Sequence, residues 1–196
     1  MKIYDISQEV FSCAVYPGDP RPEKQTVYST GAGDLYNLTS FAMCAHNGTH
    51  VDAPFHFLHN GKPVDQMDLT CFVGDCYVAQ HEGHVTAGDA EEILKKAGGA
   101  ERILIGGKAT VTAEGAEVFA AGGIKLLGNE GQTVGPEDAP MQVHLILLGA
   151  GIALLEGIVL QNVPEGRYFL SAAPLNLGGA DGAPCRAYLI DWEDKK

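Results

Sequence analysis

The sequence predicts an α/β fold in which mixed sheet is flanked by helices. Two capped helical segments carry that prediction. Thr86 is followed by Asp89, Glu91 and Glu92, Thr112 is followed by Glu114 and Glu117, and a glycine pair closes each segment, Gly98-Gly99 and Gly122-Gly123. A cap hydroxyl accepts from an unpaired N–H of the first turn, and acidic residues there complement the positive end of the helix dipole. Each segment lies between short apolar stretches, at 72–79, 102–105 and 124–127. The chain therefore reads β-α-β-α-β, and a sheet connected in this way is covered by helices. Glycine, at 25 of 196 residues, adds many tight turns between short elements.

In order, residues 3–10 read as a first strand, with alternation weakened by Asp5 and Ser7. Y-P-G-D-P at 16–20 is a rigid turn, since Pro17-Gly18 suits a type II geometry and Pro20 fixes the exit. Residues 26–30 form a short edge strand. Residues 36–45 alternate loosely through Leu38, Ser40, Ala42 and Cys44 and form the strand that delivers His46. Period two breaks at Gly48, so the segment beyond it is expected to be a loop. Residues 72–79 are a strong strand, and the helix opened by Thr86 has Lys95 and Lys96 near its negative end. A buried strand at 102–105, the helix at 112–121 and a strand at 124–127 follow. Gly135-Pro136 opens a turn, 141–148 is a short helix ended by Gly149-Ala150-Gly151, and 152–155 is a buried strand with Glu156 at its end. The last strands, 168–172 and 187–190, are separated by the glycine-rich N-L-G-G-A-D-G-A-P. No repeat or linker stands out, so residues 1–196 are expected to form one domain.

Lys and Arg number 13 against 25 Asp and Glu, a formal charge of −12 that argues against nucleic acid or an anionic membrane as a partner. The amino-terminal segment lacks the apolar core of a signal peptide, and the longest apolar run, 145–155, is too short to span a bilayer. Five scattered cysteines without a C-x-x-C pair suggest reduced thiols and a cytoplasmic location. Cys44 and Cys71 fall in strand-like patterns and read as packing thiols, and no basic group besides the histidines is placed to activate a cysteine.

The chemistry concentrates in C-A-H-N-G-T-H-V-D-A-P-F-H-F at 44–57, which places His46, His50, Asp52 and His56 within eleven residues. Packed imidazoles repel when charged or leave ring nitrogens unpaired, and with a carboxylate they suit Zn²⁺, Mn²⁺ or Fe²⁺. Asp52 is the natural shared ligand of a two-ion site, because carboxylates bridge. His56, held by Pro54, is either a further ligand or a general acid/base. His144 in V-H-L-I-L-L and Glu156 in L-L-E-G-I-V-L are ionisable groups inside apolar runs, costly unless paired or metal-bound. Taken singly, such a histidine is more often a hydrogen-bonded core residue and such a glutamate a salt-bridge or helix-end residue. The cluster itself has the alternative of a hydrogen-bonded network without metal. Tyr16, Phe55, Phe57 and His59 offer an aromatic-lined substrate pocket, whereas His81 and His84 in a polar turn face solvent.

With these residues in view, the chain resembles the putative cyclase family, which includes bacterial kynurenine formamidase (arylformamidase) and isatin hydrolase. The family's H-x-G-T-H-x-D-x-P-x-H stands complete from His46 to His56. Y-P-G-D-P at 16–20, G-K-P-V-D-Q-M-D-L at 61–69, H-L-I-L-L-G-A-G-I-A-L-L-E-G at 144–157 and P-L-N-L-G-G-A-D-G-A-P-C-R-A at 174–187 also look like family segments. The resemblance implies a swivelling β/β/α fold with a small curved sheet on a larger one, in homodimers or homotetramers whose subunits contribute to one another's pockets. It implies two ions, Zn²⁺ or Mn²⁺, one held by His46, His50 and Asp52 and the other by Asp52, His144 and Glu156, with His56 transferring a proton. It implies hydrolysis of a carbon–nitrogen bond in a small arylformamide or cyclic amide by metal-activated water. A dedicated kynurenine formamidase, a lactone hydrolase and a metal-binding protein without turnover are the alternatives.

Two departures bear on the pocket. The family's substrate-facing loop after the strand at 102–105 is reduced here to G-G-K-A-T-V-T. Where the family tends to have G-I-D-T-P-S, this chain has Gly128-Asn129-Glu130-Gly131-Gln132-Thr133, so Glu130 stands in for the Asp, Thr133 for the Ser, and Gln132 for a rigid proline on the wall.

Overall fold

The computed structural model describes residues 1–137 and 139–192. Its strands are β1 (Lys2–Asp5), β2 (Glu23–Tyr28), β3 (Leu38–Ala42), β4 (His50–Asp52), β5 (Val73–Gln80), β6 (Gly83–Val85), β7 (Arg102–Gly106), β8 (Ala109–Val111), β9 (Leu126–Asn129), β10 (Ala153–Glu156), β11 (Gly166–Ser171), β12 (Gly182–Pro184) and β13 (Tyr188–Asp191). Its helices are α1 (Ala87–Ala97), α2 (Ala113–Ala121) and α3 (Met141–Gly149).

Among the described residues, nine strands share one mixed sheet in the order β1-β13-β11-β5-β7-β9-β10-β4-β12. The central strands β5, β7, β9 and β10 run parallel, and antiparallel strands extend the sheet on both sides. Alternation along the strands sorts two apolar layers. Ile103, Ile105, Leu127 and Leu154 pack with Ile93, Phe119 and Leu147 of the helices. Leu104, Leu126, Leu155 and Val51 face the other way, with Phe72, Leu170 and Leu189. The sheet is one curled layer with helices on one face.

Local chemistry accounts for the helices. Thr86 and Asp89 form a reciprocal capping box at α1, Gly98 ends it in the left-handed conformation at φ 53°, and Thr112 caps α2 through Gly115 N. Three expectations are corrected. The first strand ends at Asp5 instead of residue 10, because Gln8 turns its side chain to Gly157 O and Ala14 N and Glu9 caps a 3₁₀ turn at Val10–Ser12. The strand expected over 36–45 is only β3, so Cys44 lies in a turn, and Cys71 ends a 3₁₀ turn. The segment beyond Gly48 is not all loop, since β4 carries His50 and Asp52 as a strand between β10 and β12. Strands β6 and β8 pair as a parallel ribbon, which ties down the short segment after β7.

Candidate metal centre

The site grows from the pairing of β4 with β10. Glu156 is the last residue of β10, at the carboxyl end of the parallel strands, where open α/β sheets usually place their ligands. In the antiparallel register it lies opposite His50, and Leu154 lies opposite Asp52. Val51 belongs to the layer away from the helices, so His50 and Asp52 share the helix-bearing face with Leu154 and Glu156. Helix α3 crosses that face and buries His144 on one side with Leu147 and Leu148. His50, Asp52, His144 and Glu156 are each at most 3% exposed.

Backbone contacts set the loop that carries His46. Thr49 Oγ1 donates to Gly157 O at 2.6 Å and accepts from Gln8 N at 2.9 Å. Gly157 has φ +65°, and a Cβ there would meet Gly48 O at 2.3 Å, so only glycine fits. Gly182 of β12 leaves similar room, since a Cβ would meet Val51 O at 2.6 Å and His46 Cε1 at 2.8 Å.

Hydrogen bonds at the outer nitrogens fix which way each imidazole faces. His50 Nδ1 is 2.9 Å from Gly48 O and His144 Nδ1 is 2.9 Å from Pro140 O. A carbonyl only accepts, so both Nδ1 atoms carry hydrogen and both Nε2 lone pairs point inward. His46 lies between two carboxylates, with Nε2 2.8 Å from Asp181 Oδ2 and Nδ1 2.8 Å from Asp52 Oδ1, so either nitrogen can carry the hydrogen and both do when the ring is charged. His50 Nε2 stands 3.4 Å from Asp52 Oδ1 and 3.6 Å from Glu156 Oε2. His144 Nε2 stands 3.2 Å from Glu156 Oε1 and 3.5 Å from Asp52 Oδ2. Neutral His50 and His144 would thus oppose acceptor to acceptor around two buried carboxylates. Asp52 Oδ2 is buried with no hydrogen-bond partner. Only cations, protons or metal ions, relieve that arrangement, and the N/O donor set suits a divalent metal.

The field of the carboxylates is written in the proton affinities. Burial alone would depress His46 and His144, yet hydrogen bonds and charge from Asp52, with Asp181 or Glu156, push them up to about 9 and about 10. Burial likewise opposes charge on His50, and Asp52 still raises it. Asp52, despite its own burial, is held well below the carboxylate range by His144, His46 and His50. Glu156 is raised, first by burial and then by the charge of Asp52. Two groups, His46–Asp52–His56 and His50–Asp52–Glu156, bring ligand atoms within 4.8 Å of one another and are able to hold an ion. Both contain Asp52.

His56 sits at the rim, in a 3₁₀ turn at Pro54–His56, half-buried and stacked on His46 at 4.0 Å. Its Nδ1 is 3.2 Å from Asp181 Oδ2. Burial lowers its proton affinity, and the charge of Asp52 only partly offsets this. Phe57 stacks on the His144 ring at 4.6 Å and so packs the centre. Phe55 and His59 are exposed, and Tyr16 donates to Glu137 O at 3.0 Å. The Glu130 carboxylate accepts from Gly107 N and Leu160 N, both at 2.7 Å, and pins the shortened segment after β7. Gln132 lies beside Gly157 with both amide atoms buried and unpartnered. His84 belongs to β6 and bonds Thr110, and His81 precedes that strand with its Nε2 at His84 O, away from these contacts. The sequence reading missed Asp181, although it is the one charged residue between positions 174 and 185.

Comparison with known proteins agrees with this picture. The family model described as "Putative cyclase" matches residues 4–135. A kynurenine formamidase of Salinibacter ruber is 35% identical over 213 residues, covering 99% of this chain and 100% of that one. A solved structure described as a potential metal-dependent hydrolase with cyclase activity superposes with TM-score 0.81 at 27% identity, covering 96% of each chain. Isatin hydrolase A from Labrenzia aggregata shares the fold, with TM-score 0.83 at 20% identity over 96% of this chain and 93% of that one.

Proposed function

We propose that this chain, which belongs to the putative cyclase family and is a metal-dependent hydrolase, cleaves the carbon–nitrogen bond of a small arylformamide or cyclic amide. The observation that carries the reading is the convergence of His46 Nδ1, His50 Nε2 and His144 Nε2 on the buried carboxylates of Asp52 and Glu156, with His56 beside them at the rim. His46, His50 and Asp52 would hold one ion, and Asp52, His144 and Glu156 a second, either Zn²⁺ or Mn²⁺. When bound, such ions supply Lewis acidity, lowering the pKa of water and drawing charge from a carbonyl oxygen.

The chain's own residues do the rest. His56, whose proton affinity burial lowers and whose Nδ1 is tethered, keeps its Nε2 lone pair to take a proton from the attacking water and return it to the departing nitrogen. The helix-side apolar layer behind His144, with Phe57 stacked on the ring, holds the donors still and keeps water away from that side. The reading has Phe55 and Tyr16 line a planar substrate's approach.

A second reading, a dedicated kynurenine formamidase, is favoured by the curated relatives of that name, such as those of Salinibacter ruber and Erythrobacter litoralis at 35% and 31% identity. Turnover of N-formylkynurenine, a simple formanilide, a cyclic amide and a lactone, each with Zn²⁺ and separately with Mn²⁺, decides between them. Comparable rates on formanilide or the cyclic amide support the broader enzyme. A kcat/KM for N-formylkynurenine several orders above the others supports the dedicated one, and no turnover by protein shown to hold two ions supports a metal-binding role.

The reading includes a homodimer or homotetramer acting in the cytoplasm. Every residue of β2 and β3 is exposed, and Val27, Tyr28, Leu35, Tyr36, Leu38 and Phe41 put a broad apolar surface on that hairpin, which a second copy would cover. The five free thiols accord with a reducing compartment.

A further inference from the structure

We infer that Asp181 is a positioning residue that holds His46 and His56 in one fixed relation, and so couples the grip on the first cation to proton transfer. The inference rests on the reading of His46 as a ligand and His56 as the proton carrier.

One oxygen makes both contacts. Asp181 Oδ2 lies 2.8 Å from His46 Nε2 and 3.2 Å from His56 Nδ1. The two rings lie nearly parallel, 28° apart, with centroids at 4.0 Å. A carboxylate only accepts, so each facing nitrogen carries its hydrogen. On His56 that leaves the lone pair at Nε2, away from the tether. On His46, whose Nδ1 faces Asp52 as closely, an ion taking the place of the Nδ1 hydrogen would find the ring still anchored at Nε2. A carboxylate behind a ligating imidazole raises its basicity and fixes its plane.

The main chain holds the carboxylate where it is needed. Ala53 N donates to Asp181 O at 2.9 Å, and Val64 N donates to the neighbouring Ala180 O at 2.9 Å. Thus the residue is pinned at the end of β4, one position before the glycine that makes room for the His46 ring. Among the described residues its ion pairs are with these two imidazoles. Its side chain is 43% exposed against 13% for His46, so it holds both rings from the solvent side.

The test uses the full chain with Asp181→Ala and the near-isosteric Asp181→Asn, each also in a His56→Ala background. Cation affinity is read without substrate, by competition of Zn²⁺ and of Mn²⁺ against a chromophoric chelator. Asp181→Ala is expected to weaken one of the two ions, the one His46 holds, by about 10- to 100-fold and to lower kcat of the metal-saturated enzyme by a similar factor, with KM little changed. Asp181→Asn, which keeps an acceptor oxygen, should fall between wild type and Asp181→Ala. In the His56→Ala background the loss in kcat should shrink to about threefold or less, because residues acting as a unit are not additive. Unchanged cation affinity, or an equal fractional loss of kcat with and without His56, overturns the inference. Undiminished kcat in His56→Ala alone instead overturns the reading of His56 as proton carrier, and so separates the two failures.

Discussion

Glu156 lies opposite His50 in the β4–β10 register, and their side chains meet at 3.6 Å. That is too long for a hydrogen bond, and it sets a proposed donor of the first ion beside a proposed donor of the second. The geometry gives Asp52 a singular place, since its Oδ1 faces His46 and His50 while its Oδ2 faces His144.

Asp52→Asn is therefore expected to lose both ions, and His144→Ala only one. Elemental analysis of the two purified variants checks this, and two full equivalents in the Asp52 variant would exclude a bridging carboxylate.

His56→Ala should keep its metal and lose roughly 10²- to 10⁴-fold in kcat, the span for removing a general acid/base. Loss of metal in step with activity would instead make His56 a ligand, as its place in one of the two donor groups allows.

Cation binding should strengthen with pH. His46 and His144, raised to about 9 and about 10, hold protons in the metal-free protein at neutral pH, and an entering ion has to displace them. Apparent affinity should rise by up to about tenfold per pH unit for each proton released, read by calorimetry in buffers of different ionisation enthalpy. The metal-free fold should show the opposite trend. Its stabilisation by these charged imidazoles is complete below an unfolded pKa of about 6.5 and is lost as pH climbs through 9 and 10. A metal-free melting temperature that rises over that window would contradict this.

Gly182→Ala should destabilise the fold by about 1–3 kcal/mol, because the new methyl meets the Val51 carbonyl, which is backbone and has to move. Urea unfolding should show a lower midpoint at unchanged slope. The same methyl presses on His46, so the variant should also bind metal more weakly than wild type.

Much of this centre is legible in the sequence because its members are conspicuous there. His144 and Glu156 interrupt apolar runs, and His46 to His56 form a dense motif. Helices α1 and α2 announce themselves through Thr86 and Thr112, whose caps are local chemistry. Strand β4 is different. Three residues are too few to show a period, and their extended state comes from β10 and β12, far along the chain. Strand β12 is Gly-Ala-Pro, poor in strand formers and tolerable because it is an edge. Asp181 hides among glycines, and only its isolation as a charge gives it away.

The placement of β4 also has a consequence for the order in which the protein is made. Asp52 pairs with Leu154 on one side and Gly182 on the other, so the strand bearing two of the donors has no neighbour until about a hundred more residues exist. At about 5–20 residues per second, segment 46–56 waits roughly 5–20 s on the ribosome without its sheet. During that interval an ion can meet only the imidazoles and carboxylate of the local motif, and the second set of donors arrives with α3 and β10. The centre is thus closed only by later-made strands, around a segment already waiting for them.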